Sequence, residues 1–387
     1  MSDATPYVSE PTVEEEERKT SYLELFFDLV FVFAITQVTS LILEDTSPAG
    51  FARSALVLGL IWWAWSAYAW MTNAIDIQNA VTRLIVLAAM AAAFFVALAV
   101  PDAYQDEGMW FAVAYFTVRV LNSALFSWGV RHDPGQLRAT FRLAPWFLIA
   151  AFVALAGGFA DGDNRAYFWL ASLAIDVVGT LTVARAEWRV SPSHFAERFA
   201  LIVIIALGES IVAIGLGTAN LERDWTFAAA VVIAFAGVAA LWWAYFDFTA
   251  TAAERSLRRA SPGARGPLAR DVFTFFHYPM VLGIILYAVA AKKTLADPSK
   301  PLSEAGRWAL GLGVAFFLLG FVLARFRVIR RVAWERIGAG VAALLAAVLL
   351  DGPDALVTLT IVIAILVVSV GIETVRLREI RAVVKAG

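Results

Sequence analysis

Apolar residues in this chain come in long runs, and charges, Pro and Gly collect between them. Each run is close to the roughly 20 residues a helix needs to cross a bilayer. Segmenting at the breaks predicts twelve helical spans, at 23–43, 53–72, 84–100, 109–128, 143–160, 166–184, 199–218, 225–247, 272–291, 305–324, 335–350 and 355–373. The turn "DGPD" at 351–354 reads either as a connection between two spans or as the tip of a re-entrant pair.

Composition agrees with a helical membrane domain. Hydrophobic residues make up 60% of the 387, charged residues 17%, and the mean hydropathy is +0.72; soluble domains average about 45–50% apolar and about 25% charged. A net charge of −2 and a pI near 6.0 give no basic footprint for nucleic acid. The absence of cysteine excludes a disulfide framework, a thiolate metal site and a cysteine nucleophile. No phosphate loop, zinc-binding His pair or nucleophile elbow is present, so neither an enzyme nor a cofactor or metal site is expected.

Most of the 31 Lys and Arg fall in alternate loops, such as "RHDPGQLRATFR", "ERSLRRASPGARGPLAR" and "RFRVIRRVAWER", while the turns "PDAYQDEG" and "DGPD" carry none. Basic residues are retained on the cytoplasmic side, which puts both termini there. The exception is the outer loop at 292–307, with Lys292, Lys293, Lys300 and Arg307, where a missed span would first show. Residues 1–22 have no basic segment ahead of a short apolar core, so they read as an acidic disordered tail and not as a signal peptide. "SPGARGP" at 261–267 reads as a flexible connection, either a regulatory contact or simple topogenic charge.

Two blocks recur in order. "ERFALIVIIALGESIVAIG" from Glu197 echoes "ELFFDLVFVFAITQVTSLI" from Glu24, and "LWWAYF" from Leu241 echoes "IWWAWS" from Ile61, at offsets of 173 and 180 residues. The expected architecture is therefore an all-α membrane protein of about twelve transmembrane helices in two parallel six-helix repeats, 23–190 and 191–374, followed by a basic tail at 375–387. Repeats of an even number of spans share one orientation, and binding sites in such folds lie between the halves.

Together with "FFHYPMVLGI", these segments resemble the bacterial low temperature requirement A (LtrA) family of multi-pass membrane proteins, over about residues 20 to 374. The resemblance implies a bacterial cytoplasmic (inner) membrane location and little about mechanism. "FFDLVFVFAIT" is also similar, more faintly, to the first-helix Phe-Ser-Asp motif of a potassium channel family built from six-helix units. Phe26 and Asp28 match that motif, Phe27 stands in place of its serine and Tyr22 in place of its arginine, and the second repeat has no corresponding aspartate. These departures tell against potassium selectivity.

Polar residues inside the runs are the candidate site. Glu24, Asp28, Thr36 and Ser40 fall on one face at helical spacing, as do Ser172, Asp176 and Thr180, and Arg119, Asn122 and Ser123. Charged groups in membrane helices face a bundle or water-filled cavity and are functional candidates. Counting from the span ends puts Arg119, Asp176 and Glu209 near the midplane and Asp28 about a third of the way in from the cytoplasm. Arg119 needs an anion, which Asp176 or Glu209 supplies, leaving one carboxylate for a proton or cation. Asp28 has no expected base at its depth. His277 reads as a proton relay or a satisfied packing histidine, and the tryptophans of "WWAW" and Trp242 and Trp243 as packing or interfacial belt.

The functional expectation is passage or exchange of a small solute or ion, with proton or monovalent cation participation, through a site of Asp28, Glu209, Arg119, Asp176, Glu24 and His277. The alternative is a non-transporting membrane scaffold or sensor whose intramembrane charges are structural. The lipid bilayer is the expected partner, nucleic acid is not, and self-association into a homo-oligomer is left open.

Overall fold

A computed structural model describes residues 20–183, 188–218 and 222–376. All but residues 20–22 of the expected acidic tail and all but the start of the basic tail lie outside the described residues, and Tyr22 already belongs to the first helix. Within them the chain is helical, with one isolated β-bridge between Pro301 and Asp354. The long helices are α1 (Tyr22–Glu44), α2 (Pro48–Ala74), α3 (Ala80–Leu98), α4 (Gly108–Gly129), α5 (Pro134–Gly158), α6 (Gly162–Thr182), α7 (Pro192–Gly217) and α8 (Trp225–Phe246). Short helices α9 (Thr249–Arg259) and α10 (Pro262–Ala269) lead through a π-helical segment (Arg270–Phe275) into α11 (His277–Ala296), α12 (Glu304–Ile329), α13 (Trp334–Leu349) and α14 (Ala355–Arg376).

Every expected span has a helix. Ten of the described helical stretches are long and apolar enough to cross a membrane; α6 and α13 are not among them. In α6, Asp163, Arg165 and Asp176 dilute the apolar run. With 16 residues, α13 reaches about 24 Å at 1.5 Å per residue, short of a hydrocarbon core of about 30 Å. The α13–α14 hairpin nevertheless runs alongside α12. Glu335 pairs with Arg325 at one end, while Arg307 pairs with Asp351 at the other. There Ala355 N–H donates to Lys300 O (2.8 Å) and Leu356 N–H to Pro298 O (3.1 Å), so the "DGPD" turn is tied to the α11–α12 loop. That loop holds the four basic residues that broke the charge pattern; no extra helix explains them, and Lys300 and Arg307 are paired with Asp297 and Asp351.

The helices divide into two packed groups. In the first, α1 packs on α2 and α3, α3 on α4, α4 on α5, α5 on α6 and α6 on α2; in the second, α7 packs on α8 and α11, α11 on α12, α12 on α13, α13 on α14 and α14 on α8. The groups meet where α1 and α2 touch α7 and α11. The central helices are α2, buried without interruption from Val57 to Ala69, and α11, buried from Met280 to Ala291. A helix apolar on all sides belongs in such a position.

At the α11–α12 crossing, small residues bring backbones into contact. A Cβ on Gly283 would lie 2.5 Å from Gly313 O and 2.6 Å from Phe317 N, and one on Gly320 2.5 Å from Phe276 O. Close backbone approach replaces the hydrophobic drive that lipid does not supply between helices. Gly283→Ala is expected to force the pair apart and cost about 1–3 kcal/mol, read as a lowered thermal midpoint in detergent. Gly338→Ala, whose Cβ meets nothing within 4 Å, should leave the midpoint unchanged.

Candidate functional site: a polar seam between α1 and α7

The start of α1 is built by a capping box. Ser21 Oγ accepts from Glu24 N–H, and Glu24 Oε2 accepts from Ser21 N–H at 2.8 Å. That holds one carboxylate oxygen and leaves Oε1 facing His194 Nε2 of α7 at 3.1 Å, in ion-pair range but poorly aligned for a hydrogen bond. Asn73, near the end of α2, accepts Ser191 N–H at Oδ1 (3.0 Å), so its Nδ2 donates to His194 Nδ1 (3.0 Å). With Nδ1 as acceptor, Nε2 is the ring's donor and points toward Glu24.

One turn along α1, Asp28 Oδ1 accepts from Arg198 Nη2 and Trp65 Nε1, each at 2.9 Å. All these groups are buried, with Glu24, Asp28, His194 and Arg198 at most 2% exposed. Satisfaction is incomplete, because Asp28 Oδ2 and Arg198 Nε and Nη1 have no hydrogen-bond partner among the described residues. Two carboxylates face one guanidinium and one imidazole, so the level holds one more acid than it has permanent cations.

About 12 Å further along α1, at 1.5 Å for each of the eight residues from Asp28 to Thr36, the seam turns polar again. Thr36 Oγ1 donates to Glu209 Oε2 of α7 at 2.5 Å, and the Thr39 hydroxyl and Lys292 lie within its electrostatic reach. Between the levels lie the buried apolar side chains of Phe31 and Ile35 on α1 and Ile202, Val203 and Ala206 on α7. The arrangement is two carboxylate levels separated by packed apolar side chains.

The expected midplane trio is only partly formed. Arg119 grips Asp176 through two hydrogen bonds, Nη1 to Oδ2 (2.6 Å) and Nη2 to Oδ1 (2.7 Å). It also donates to Tyr115 Oη (2.8 Å) and lies 4.9 Å over the Phe147 ring. Glu209 is not part of this group, because α7 meets the first group through α1 and α2 and not through α4 or α6. Arg119 and Asp176 form a satisfied clamp across α4, α5 and α6.

His277 is also committed. Its Nδ1–H donates to Val272 O (2.9 Å), so Nε2 accepts the Tyr245 hydroxyl (2.8 Å), and the ring stacks on Phe273. It is a satisfied packing histidine at the π segment. Trp62, Trp63 and Trp65 are buried, whereas Trp242 and Trp243 are nearly half exposed on an apolar helix.

The expectation that no base lies at the depth of Asp28 is overturned by Arg198. Sequence reasoning left Arg198 and His194 in the loop before the seventh span, because charges there read as the span's edge, whereas α7 begins at Pro192. The repeat carried the missing signal: at an offset of 173, Arg198 falls opposite Leu25, within one turn of Asp28.

A buried pair stripped of one partner leaves an uncompensated charge, so Arg119→Leu is expected to cost about 3–5 kcal/mol. Adding Asp176→Leu should recover most of it, as measured by denaturation of both variants in detergent.

Comparison with known proteins fits this architecture. The family model described as "Bacterial low temperature requirement A protein (LtrA)" matches residues 19–371. An uncharacterised protein of Rhizobium meliloti (strain 1021) is 32% identical over 295 residues, which cover 73% of this chain and 71% of that protein. No solved structure matches. With the family model spanning most of its length and ten helices apolar enough to cross a bilayer, this multi-pass membrane protein belongs to the bacterial low temperature requirement A family.

Proposed function

We propose that the α1–α7 seam carries a proton or small monovalent cation between two anionic levels, so that the protein passes or exchanges a small solute or ion without enzymatic chemistry. The observation that carries this reading is the pair of buried carboxylates, Glu24 and Asp28, set against the single guanidinium of Arg198 and the imidazole of His194. A bare negative charge in hydrocarbon is costly, and association with a mobile cation or proton relieves it. Glu209, with the Thr36 and Thr39 hydroxyls beside it and Lys292 within electrostatic reach, is the second step.

The reading includes twelve spans in two parallel six-helix repeats in the cytoplasmic membrane, with both termini cytoplasmic. It is supported by the matched packing order, since α1–α2–α3–α4–α5–α6 contacts have counterparts in α7–α8–α11–α12–α13–α14. Thr36 and Glu209, which touch, are also separated by the repeat offset of 173 residues. Equivalent positions in two copies meet only near the axis that relates them, which puts the seam on that axis. The copies differ in their central helix, α2 in one and α11 in the other.

The scaffold reading draws on the satisfied pairs Arg119–Asp176 and Arg336–Glu373, the latter held by bonds of 2.9 and 3.0 Å. These fix helix packing and lie away from the seam.

In proteoliposomes with an imposed cation or proton gradient, the wild-type chain is expected to give flux, and Asp28→Asn or Glu209→Gln to reduce it at least tenfold while the protein still folds. Absence of wild-type flux across a panel of ions and small solutes would sink the proposal. Topology is checked separately: the chain has no cysteine, so single cysteines at Gly135 and Gly352 should label from opposite faces of the membrane.

A further inference from the structure

A cavity of about 70 Å³ lies among α2, α4, α5, α6 and the α10–π segment, away from the α1–α7 seam. Its walls are aromatic, with Trp63, Trp70, Trp188, Phe126 and Phe147 contributing. Flat π faces on several sides suit a planar ring, which gains from offset or edge-to-face packing as well as from burial.

Two polar groups mark the cavity's ends. Asn122, on α4 seven residues before Gly129 and so about 10 Å from the helix end, is 2% exposed. Its only polar partner among the described residues is the Met71 sulfur at 3.8 Å. An amide offers two donors and an acceptor, so most of its capacity is unspent, and unspent capacity in a buried amide is costly.

Arg270 stands at the other end. It gives Nε and Nη2 to Asp271 Oδ1 and one Nη1–H to Thr180 O, leaving two of its five N–H donors. Asp271 also takes Arg327 Nε at 2.6 Å. The trio therefore holds two guanidiniums against one carboxylate, a net positive charge.

The floor is the π segment. Thr274 receives Ser66 Oγ (3.1 Å) and Trp70 Nε1 (2.9 Å) at its hydroxyl and Trp62 Nε1 (2.8 Å) at its carbonyl. Single turns of π-helix occur frequently at functional sites. The cavity is open on one side, so a single small ring fits with its acid group at the mouth.

We propose that this cavity binds a small aromatic carboxylate, with its carboxylate on Arg270, its ring among Trp63, Trp70 and Trp188, and a ring hydroxyl or amine on Asn122. The site does not depend on the transport reading, and either proposal stands if the other fails. "SPGARGP", which the sequence left as either a regulatory contact or topogenic charge, supplies Gly266 and Pro267 to its lining. A ligand here would touch α2 on the side opposite Trp65, which holds Asp28.

The test is calorimetry on the full chain in phosphatidylcholine nanodiscs with 4-hydroxybenzoate as probe. Saturable binding is expected, with benzyl alcohol at least tenfold weaker and hexanoate weaker than the aromatic acid. Arg270→Gln should weaken 4-hydroxybenzoate at least tenfold and Arg270→Lys much less. Should the Arg270 variants fail to fold, Asn122→Leu, which fills the inner end and disturbs only the Met71 contact, is expected to weaken binding at least tenfold by itself. The proposal is overturned by no saturable binding, by binding unchanged in Asn122→Leu, by equal affinity for the uncharged alcohol, or by displacement of the probe on adding phosphatidylglycerol, which would mark a lipid headgroup site.

Discussion

Charge cannot lie bare in hydrocarbon, and the way the two helix groups join follows from that constraint. Glu24 and Asp28 stand on one face of α1 with no base on their own helix, and they are buried only because α7 brings His194 and Arg198 to them. The same contact fixes the register of α7 against α1, since Glu209 then falls opposite Thr36. Trp65 adds the third side by turning the central helix α2 so that its indole N–H reaches Asp28. Three helices from both groups are thereby locked at one level.

The protein uses buried ion pairs in two distinct ways. Arg119 and Asp176 exchange two short hydrogen bonds, with a tyrosine hydroxyl and an aromatic face taking up further capacity of the guanidinium. Arg336 and Glu373 do the same between α13 and α14, with the guanidinium 4.1 Å over the Phe321 ring. Such bidentate, fully desolvated pairs are strong and geometrically specific. Asp28 and Arg198 share one hydrogen bond and leave atoms unpaired on both sides. A half-satisfied buried network is unfavourable for stability, which is the physical reason to read the seam and not the clamps as the working part.

The helix α2 links the two regions of interest. Trp65 reaches the seam; Trp62 beside it, Ser66 and Trp70 bond to the π segment; and Trp63, Ser66 and Trp70 line the aromatic cavity. The π segment receives these bonds at Thr274 and binds His277 through Val272 O. The "WWAW" motif is thus neither a lipid-facing belt nor filler alone, because Trp62 N–H bonds across to the π segment and Trp65 N–H bonds Asp28 of α1.

Helix positions, the apolar class of the chain and the pairing need of each buried charge were all legible in the sequence. Apolar run length and local charge are properties of contiguous residues, and every predicted span has its helix. The Arg119–Asp176 pair was legible too, since matching depths could be counted along neighbouring spans. What the chain order could not reveal was which helices face each other across the groups. Arg198 looked like the edge of a span, Glu209 looked like a companion of Arg119, and His277 stood open between proton relay and packing; each was decided by a partner more than 30 residues away or on a helix of another group. Sequence by itself determined that this protein is a bundle of apolar helices with a few charges to neutralise. Only tertiary structure decided which charge meets which, because hydrogen bonding and Coulomb attraction in a low-dielectric interior depend on ångström separations that packing alone sets.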